Sequence, residues 1–209
     1  MKRLIYLLSF ILVLSCKKEN KNIKINYYPS ELSFKNQKLI EFVEKDSNTD
    51  FKDLINFIVN SYANNIKPYI TISNQEDKTI DKVLFIRHDW GYYDSRNFIT
   101  ITKDSILKNG KHPMSELPRL LEKHYLNTYK DSRYPNDASK AYVLIALEIE
   151  DDIEILKMLV KKLISGFDSF NKVNDNIFEL KIGLSSEKFI PPPPLINPPA
   201  KTSSSSDHN

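Results

Sequence analysis

Ala141-Tyr-Val-Leu-Ile-Ala-Leu147 is the stretch on which the fold turns. It is a nearly continuous apolar run, too short for a free-standing helix, so it predicts a strand buried on both faces at the centre of a sheet. On its N-terminal side, beyond a polar loop from Tyr129 to Lys140, residues Leu117, Leu120, Leu121, His124 and Tyr125 recur at helical spacing and form one apolar stripe. Ser115 is placed to cap that helix, Pro118 fits its first turn, and the pattern runs to about Thr128. On the C-terminal side Asp151 with Glu154 reads as a capping box. The helix it opens spans Asp152 to Ser165, buries Ile153, Leu156, Leu159, Val160 and Leu163, and is expected to stop at Gly166.

Farther out, Phe98-Ile-Thr-Ile-Thr-Lys103 alternates with β-branched residues, and Ser105-Ile-Leu-Lys-Asn-Gly110 is a second short strand ending in an Asn-Gly turn. Ile177-Phe-Glu-Leu-Lys-Ile182 alternates apolar and charged residues, as an outer, one-sided strand does. The expected class is therefore α+β, a mixed sheet with helices packed on one face. This order resembles the periplasmic domain of ExbD and TolR proteins in Ile99 to Asp104, Leu107 to Gly110, Ser115 to Leu121 and Val143 to Glu148 with the following helix. The resemblance covers less than half the chain and implies an ExbD/TolR-like domain over residues 96–186. It also implies an accessory role in the cell envelope for a protein that dimerises, or that engages an ExbD, TonB or Tol-type assembly or peptidoglycan. Family members carry an N-terminal membrane span with an embedded aspartate; here Leu4 to Leu14 contains no Asp, Glu or His.

Residues 1–15 join a basic start, Lys2 and Arg3, to that apolar run. A membrane span needs about 20 apolar residues, so the run reads as the core of a signal peptide. Val13-Leu-Ser-Cys16 resembles the lipobox of bacterial lipoproteins, which implies that Cys16, the single cysteine of the 209 residues, is acylated and becomes the first mature residue. One acyl chain binds a bilayer only marginally, so stable attachment implies several. Residues 16–22 are then a lipidated tether, and the expected location is the bacterial cell envelope. Removing Lys2 and Arg3 takes the formal charge from +3 to +1. Nothing in that balance favours nucleic acid, which requires a concentrated basic face.

Residues 23–95 form an N-terminal α+β extension. Ile23 to Tyr28 reads as a strand, and Asp50 caps a helix through Tyr62 with Phe51, Leu54, Ile55, Ile58, Val59 and Tyr62 on one stripe. Lys67 to Ile72 and Lys82 to Arg87 read as strands. A shift of 73 positions lays Lys67-Pro-Tyr-Ile-Thr-Ile72 on Lys140-Ala-Tyr-Val-Leu-Ile145 and Ile80-Asp81 on Ile153-Glu154, the trace of a degenerate repeat. Against the repeat, Lys82 to Arg87 is strand-like where its counterpart is a helix, so a single unduplicated chain is the favoured reading.

The candidate ligand loop is Arg87-His-Asp-Trp-Gly-Tyr-Tyr-Asp-Ser-Arg96. Arg87, His88, Asp89, Trp90, Tyr92 and Tyr93 could hold a sugar-containing or peptide ligand, and His88 beside Asp89 could exchange protons. That is the alternative function, a ligand-binding or hydrolase-like envelope lipoprotein. The favoured reading is a hairpin loop covering a sheet edge, because adjacent strand residues point to opposite faces and His88 lacks a nucleophile. His112, in a turn before Pro113, and His124 make no metal pair. Glu148, Glu150, Asp151 and Asp152 could bind a divalent cation but read better as the solvated start of a helix. Only four glycines occur, and no phosphate-cradling glycine motif or Gly-x-Ser-x-Gly is among them. The expectation is thus no catalytic residue, no metal and no cofactor. Residues 187–209, Pro191 to Pro194 and Ser203 to Ser206 included, read as a disordered Pro/Ser-rich spacer.

Cys16→Ala should release the protein from membranes or leave its precursor unprocessed. Radiolabelled fatty acid retained on that variant would remove the anchor assignment.

Overall fold

The computed structural model describes residues 23–44, 49–74, 78–86, 94–128, 130–175 and 177–186. Cys16, residues 87–93 of the candidate loop and the 187–209 tail lie outside them. Two mixed sheets and three α-helices make up the described chain. The first sheet holds β1 (Lys24–Tyr28), β2 (Leu39–Glu41), β3 (Lys67–Asn74) and β4 (Thr79–Leu84), in the order β1-β4-β3-β2. The second holds β5 (Phe98–Ile101), β6 (Ser105–Leu107), β7 (Lys111–Pro113), β8 (Tyr142–Leu147) and β9 (Ile182–Ser186), in the order β7-β6-β5-β8-β9. The helices are α1 (Phe51–Ala63), α2 (Leu117–Leu126) and α3 (Ile153–Val173).

β8 is an interior strand, fourth of the five, parallel to β5 on one side and β9 on the other, and all six of its residues are buried as expected. Val143, Ile145 and Leu147 enter the main core with Leu120, Leu121, Leu156, Leu159, Val160 and Leu163. Burying each such side chain is worth about 1.5–3 kcal/mol relative to exposure. β4 and β3 are antiparallel, whereas β1 and β2 run parallel to their neighbours. Both Lys67–Asn74 and Tyr142–Leu147 thus follow a helix and lie parallel to a strand that precedes it. After that point the halves differ, since Ile80 lies in β4 and Ile153 opens α3.

Two seams join the sheets. Phe85 bridges Ile182 in parallel, with Ile86 N–H donating to Ile182 O at 2.8 Å. At the other, the first amides of α1 close on the loop before α3: Phe51 N–H to Asp151 O at 2.8 Å and Lys52 N–H to Ile149 O at 3.0 Å. Phe51 and Leu54 are fully buried and belong to the same apolar cluster as the β8 residues, so one core spans both halves.

Several sequence expectations are corrected. α3 does not stop at Gly166 but continues to Val173, because Phe167 and Phe170 find an aromatic nest with Tyr125 (ring centroids 5.4 and 5.8 Å). Gly166 instead marks a close approach to α2, where an added Cβ would stand 3.4 Å from Leu117 Cδ2. Asp152 is the N-cap, accepting from Glu154 N–H at 2.8 Å. Asp151 turns back to accept from Glu148 N–H at 3.0 Å and pairs with Lys103. Ser115 lies in a 3-10 turn (Met114–Glu116) ahead of α2 and makes no cap bond, although Pro118 does occupy the first turn. His112 is on β7, opposite Ile106, since the Asn109-Gly110 turn returns the chain as a third strand that the short sequence Lys111 to Pro113 gave little sign of.

The last strand is displaced from Ile177–Ile182 to Ile182–Ser186. Asn171 captures the backbone of the expected segment, donating from Nδ2 to Phe178 O at 3.0 Å and accepting from Phe178 N–H at 3.0 Å, while the Phe178 ring stacks on Phe170 at 5.4 Å and 15°. Replacing Asn171 by Ala leaves both backbone groups without that partner and should cost roughly 1–3 kcal/mol in urea unfolding. No change in midpoint would show that the α3 to β9 connection does not depend on it.

Candidate functional site

The polar groups that the fold gathers most closely lie at the C-terminal end of α2. Asn127 ends the helix in the left-handed region (φ 37°), and its N–H closes on Lys123 O at 3.1 Å. A short amide side chain tolerates that conformation and can also bond its surroundings. Its Nδ2 donates to Asp131 O at 3.2 Å and Pro135 O at 2.8 Å, and its Oδ1 accepts from Asp131 N–H at 2.8 Å. The loop to Asp137 is thereby wrapped around one side chain. Asp131 in turn accepts from Arg133 N–H at 3.0 Å and Nε at 2.9 Å, and that pairing holds its carboxyl down at about 2.

Beneath the loop Lys108 is 5% exposed. Its Nζ donates to the carbonyls of Ser95 (3.1 Å), Arg96 (2.8 Å) and Phe98 (3.0 Å) and stands 5.2 Å from the centre of the Tyr134 ring. All three ammonium protons are used, and the ring face meets the charge favourably. Burial pushes the ammonium down to about 8, with Asp94 and Asp131 opposing. It therefore remains charged at neutral pH.

His124 is fully buried on the α2 stripe, as its spacing predicts. Nε2 donates to Tyr142 O at 3.2 Å, which ties α2 to β8. Burial, with the Lys108 charge second, lowers the imidazole to about 3. A histidine kept neutral throughout the physiological range serves as a structural donor rather than a proton shuttle.

A cavity of about 590 Å³ opens beside this cluster, lined among others by Arg96, Tyr125, Asn127, Lys130, Tyr134 and Asp137. A smaller one of about 180 Å³, reached past Arg119 and Lys123, shares the Asn127, Asp131 and Tyr134 wall. The walls offer aromatic rings, backbone groups and charges, of which two are already paired: Arg96 lies on Asp94, with Nε donating to Oδ1 at 2.9 Å, and Asp131 accepts from Arg133. That lining suits holding a polar ligand or a peptide edge. The described residues place no nucleophile against a general base there.

Of the residues singled out by sequence, Arg87, His88, Asp89, Trp90, Tyr92, Tyr93 and Cys16 lie outside the described chain. Arg96, at the end of the candidate loop, is beside the cavity. The acidic run is dispersed, with Asp152 at the cap and Asp151 on Lys103. Among the described residues no group of three or more His, Cys, Asp or Glu side chains could hold a metal ion. Sequence reasoning missed Lys108 and the Asn127 loop. Asn after the last apolar residue of a helix is a recognised stop signal and could have flagged the latter; nothing local marks Lys108, whose acceptors come from the 3-10 turn Ser95–Asn97 and the first residue of β5. These features define a mixed-sheet α+β protein whose polar interior is organised by backbone capture. Compared with family models, with curated proteins and with solved structures, the chain matches none.

Lys108→Met should cost about 2 kcal/mol or more, since three carbonyls lose their donor. A lysine lowered in the folded state costs stability wherever it is charged. Wild-type stability should therefore rise relative to the variant between about pH 8, the folded value, and about 10.4, the unfolded one. Denaturant midpoints measured across that window check both parts, and a pH-independent difference would contradict the charged assignment.

Proposed function

We propose that this protein is a non-catalytic lipoprotein of the bacterial cell envelope, held at the membrane by lipid on Cys16, whose folded part serves as an accessory or scaffold in a TonB/Tol-type energy-transduction or transport assembly. The observation that carries the scaffold reading is how the polar interior is used. The Lys108 ammonium is spent on three carbonyls and the His124 imidazole is lowered to about 3. Asn127 and Asn171 are spent on loops. Groups committed in this way hold shape and leave an exterior to be recognised.

The membrane side of the reading is supported by the sequence Val13-Leu-Ser-Cys16 behind a short apolar run, and the assembly by the resemblance of residues 96–186 to the ExbD/TolR periplasmic domain. Among the described residues no helix is long and apolar enough to cross a membrane, and Leu4 to Leu14 offers no Asp, Glu or His to a proton path. The protein would thus respond to energisation through a partner that conducts protons.

Reconstituted alone in liposomes, the acylated protein should leave an imposed pH gradient undisturbed, and capture from solubilised envelope should recover an integral-membrane partner. A concentration-dependent proton leak abolished by a point substitution would replace the accessory role with a motor. A specific small ligand lost on Ala substitution of His88, Asp89 and Trp90, with no protein partner recovered, would favour the ligand-binding alternative.

A further inference from the structure

The four-stranded sheet has two unlike faces. On one, Ile70, Ile72 and Val83 join Phe51 and Leu54 of α1 in the core. On the other, Ile25 pairs across from Ile80 and Tyr27 from Lys82, and what packs there among the described residues is a 3-10 turn, Glu31–Phe34, through Phe34. The Phe34 ring meets Tyr27 at 5.1 Å and Tyr69 at 5.6 Å, and Lys82 Nζ lies 5.6 Å from the Tyr69 ring centre. Ile23 and Ile25 are 58% and 45% exposed and Leu32 is 74% exposed, although all three fall within the first ten residues of the described chain. Ile23 and Ile25, two apart on extended chain, share that face, and exposed large apolar side chains side by side mark an interaction surface.

Where this face can be is limited by the tether, and here the argument rests on the anchoring proposed above. Seven peptide steps separate Cys16 from Ile23, so whatever path residues 17–22 take, they reach at most about 25 Å. A domain of this size is about 40 Å across. The tether is shorter than the body it holds, so the start of β1 stays beside the bilayer. Lys17, Lys18 and Lys21 against Glu19 make that tether basic, and Lys24 extends the charge onto β1. Anionic headgroups attract such a segment, while an amphipathic face with Tyr rings and a lysine suits the headgroup boundary. The carboxylates closest in sequence to this surface are already engaged: Glu31 with Lys35 at 3.0 Å, and Glu41 as acceptor of the Tyr69 hydroxyl at 3.1 Å.

We propose that the sheet face bearing Ile23, Ile25 and Tyr27 is a membrane-docking surface, seating its isoleucines at the headgroup and acyl boundary of the bilayer that holds the Cys16 lipid. The lipid sets attachment and this face sets orientation, so that the α1 and α3 side is presented away from the membrane.

The test uses the acylated full chain carrying Ile25→Cys in vesicles of phosphatidylethanolamine and phosphatidylglycerol. Acylation blocks Cys16, so an environment-sensitive fluorophore attaches at position 25 alone. The same label on Ser169→Cys, an exposed position of α3, is the control. Emission at position 25 should shift to the blue, gain about twofold in intensity and be quenched by spin-labelled lipid, whereas position 169 stays unchanged. A water-exposed label at 25 on protein that still floats with the vesicles overturns the docking surface and leaves the anchor standing. Shielding of position 25 in native envelope but not in pure lipid overturns it in favour of a protein partner. Protein that neither floats nor carries acyl mass at Cys16 removes the anchor, and the docking surface with it.

Discussion

Burial of β8 on both faces is the constraint from which the rest of the structure follows. A strand with Val143, Ile145 and Leu147 on one side and Tyr142, Leu144 and Ala146 on the other has no solvent face. It must have strands on both edges and layers above and below. Parallel neighbours satisfy the edges, and parallel pairing requires crossovers, which α2 and α3 supply. The length of α3 then becomes useful. Its first turns cover β8, and its last turns, past Gly166, carry Phe167 and Phe170 to Tyr125 and Phe178.

The N-terminal sheet is held to this frame by polar seams as much as by apolar contact. The α1 amides that a helix start leaves without intrahelical acceptors are satisfied by Asp151 O and Ile149 O, so the loop that opens α3 also anchors α1. On the opposite flank the Tyr28 hydroxyl donates to Asp168 of α3 at 2.8 Å, and Asn26 Nδ2 donates to Asp81 at 2.7 Å. Burial, with the Asp81 charge adding to it, holds the Asp168 carboxyl above its usual range while the Tyr28 bond opposes. Tyr62 reaches from α1 to the carbonyl of Phe85, the residue that bridges to β9. These contacts lie on the inner face of the first sheet, while on its outer face Phe34 covers Tyr27 and Tyr69 and Ile25 stays exposed.

The same economy of backbone capture shapes the cavity at the end of α2. Lys108, His124 and Asn127 each carry chemistry that elsewhere serves catalysis or binding. Here the first is consumed by Ser95, Arg96 and Phe98, the second is kept neutral against Tyr142, and the third organises the Asp131 to Pro135 loop. The cavity that results is lined by rings and charges beside the hydrogen-bonded Lys108, Asn127 and Asp131.

Local sequence determined the elements whose signal is periodic or chemically punctuated. The α1 stripe with its Asp50 cap, save Val59, which the structure leaves 62% exposed, the α2 stripe including buried His124, the β8 run and the Asn109-Gly110 turn were all legible, because amphipathic spacing and capping act over a few residues. Tertiary structure decided the rest. Glycine's weak helix propensity argued for a stop at Gly166, but aromatic burial beyond it is worth more than the roughly 1 kcal/mol the glycine costs. The alternation of Ile177 to Ile182 pointed to a strand, yet Asn171 and Phe170 claimed Phe178 first, and the ladder to β8 begins at Ile182. Which strands β3 and β4 pair with was not legible, because those edges meet only after folding. Lys108 acquired its role the same way: its three acceptors lie 10 to 13 residues upstream, on a stretch brought alongside by the β5–β6 hairpin.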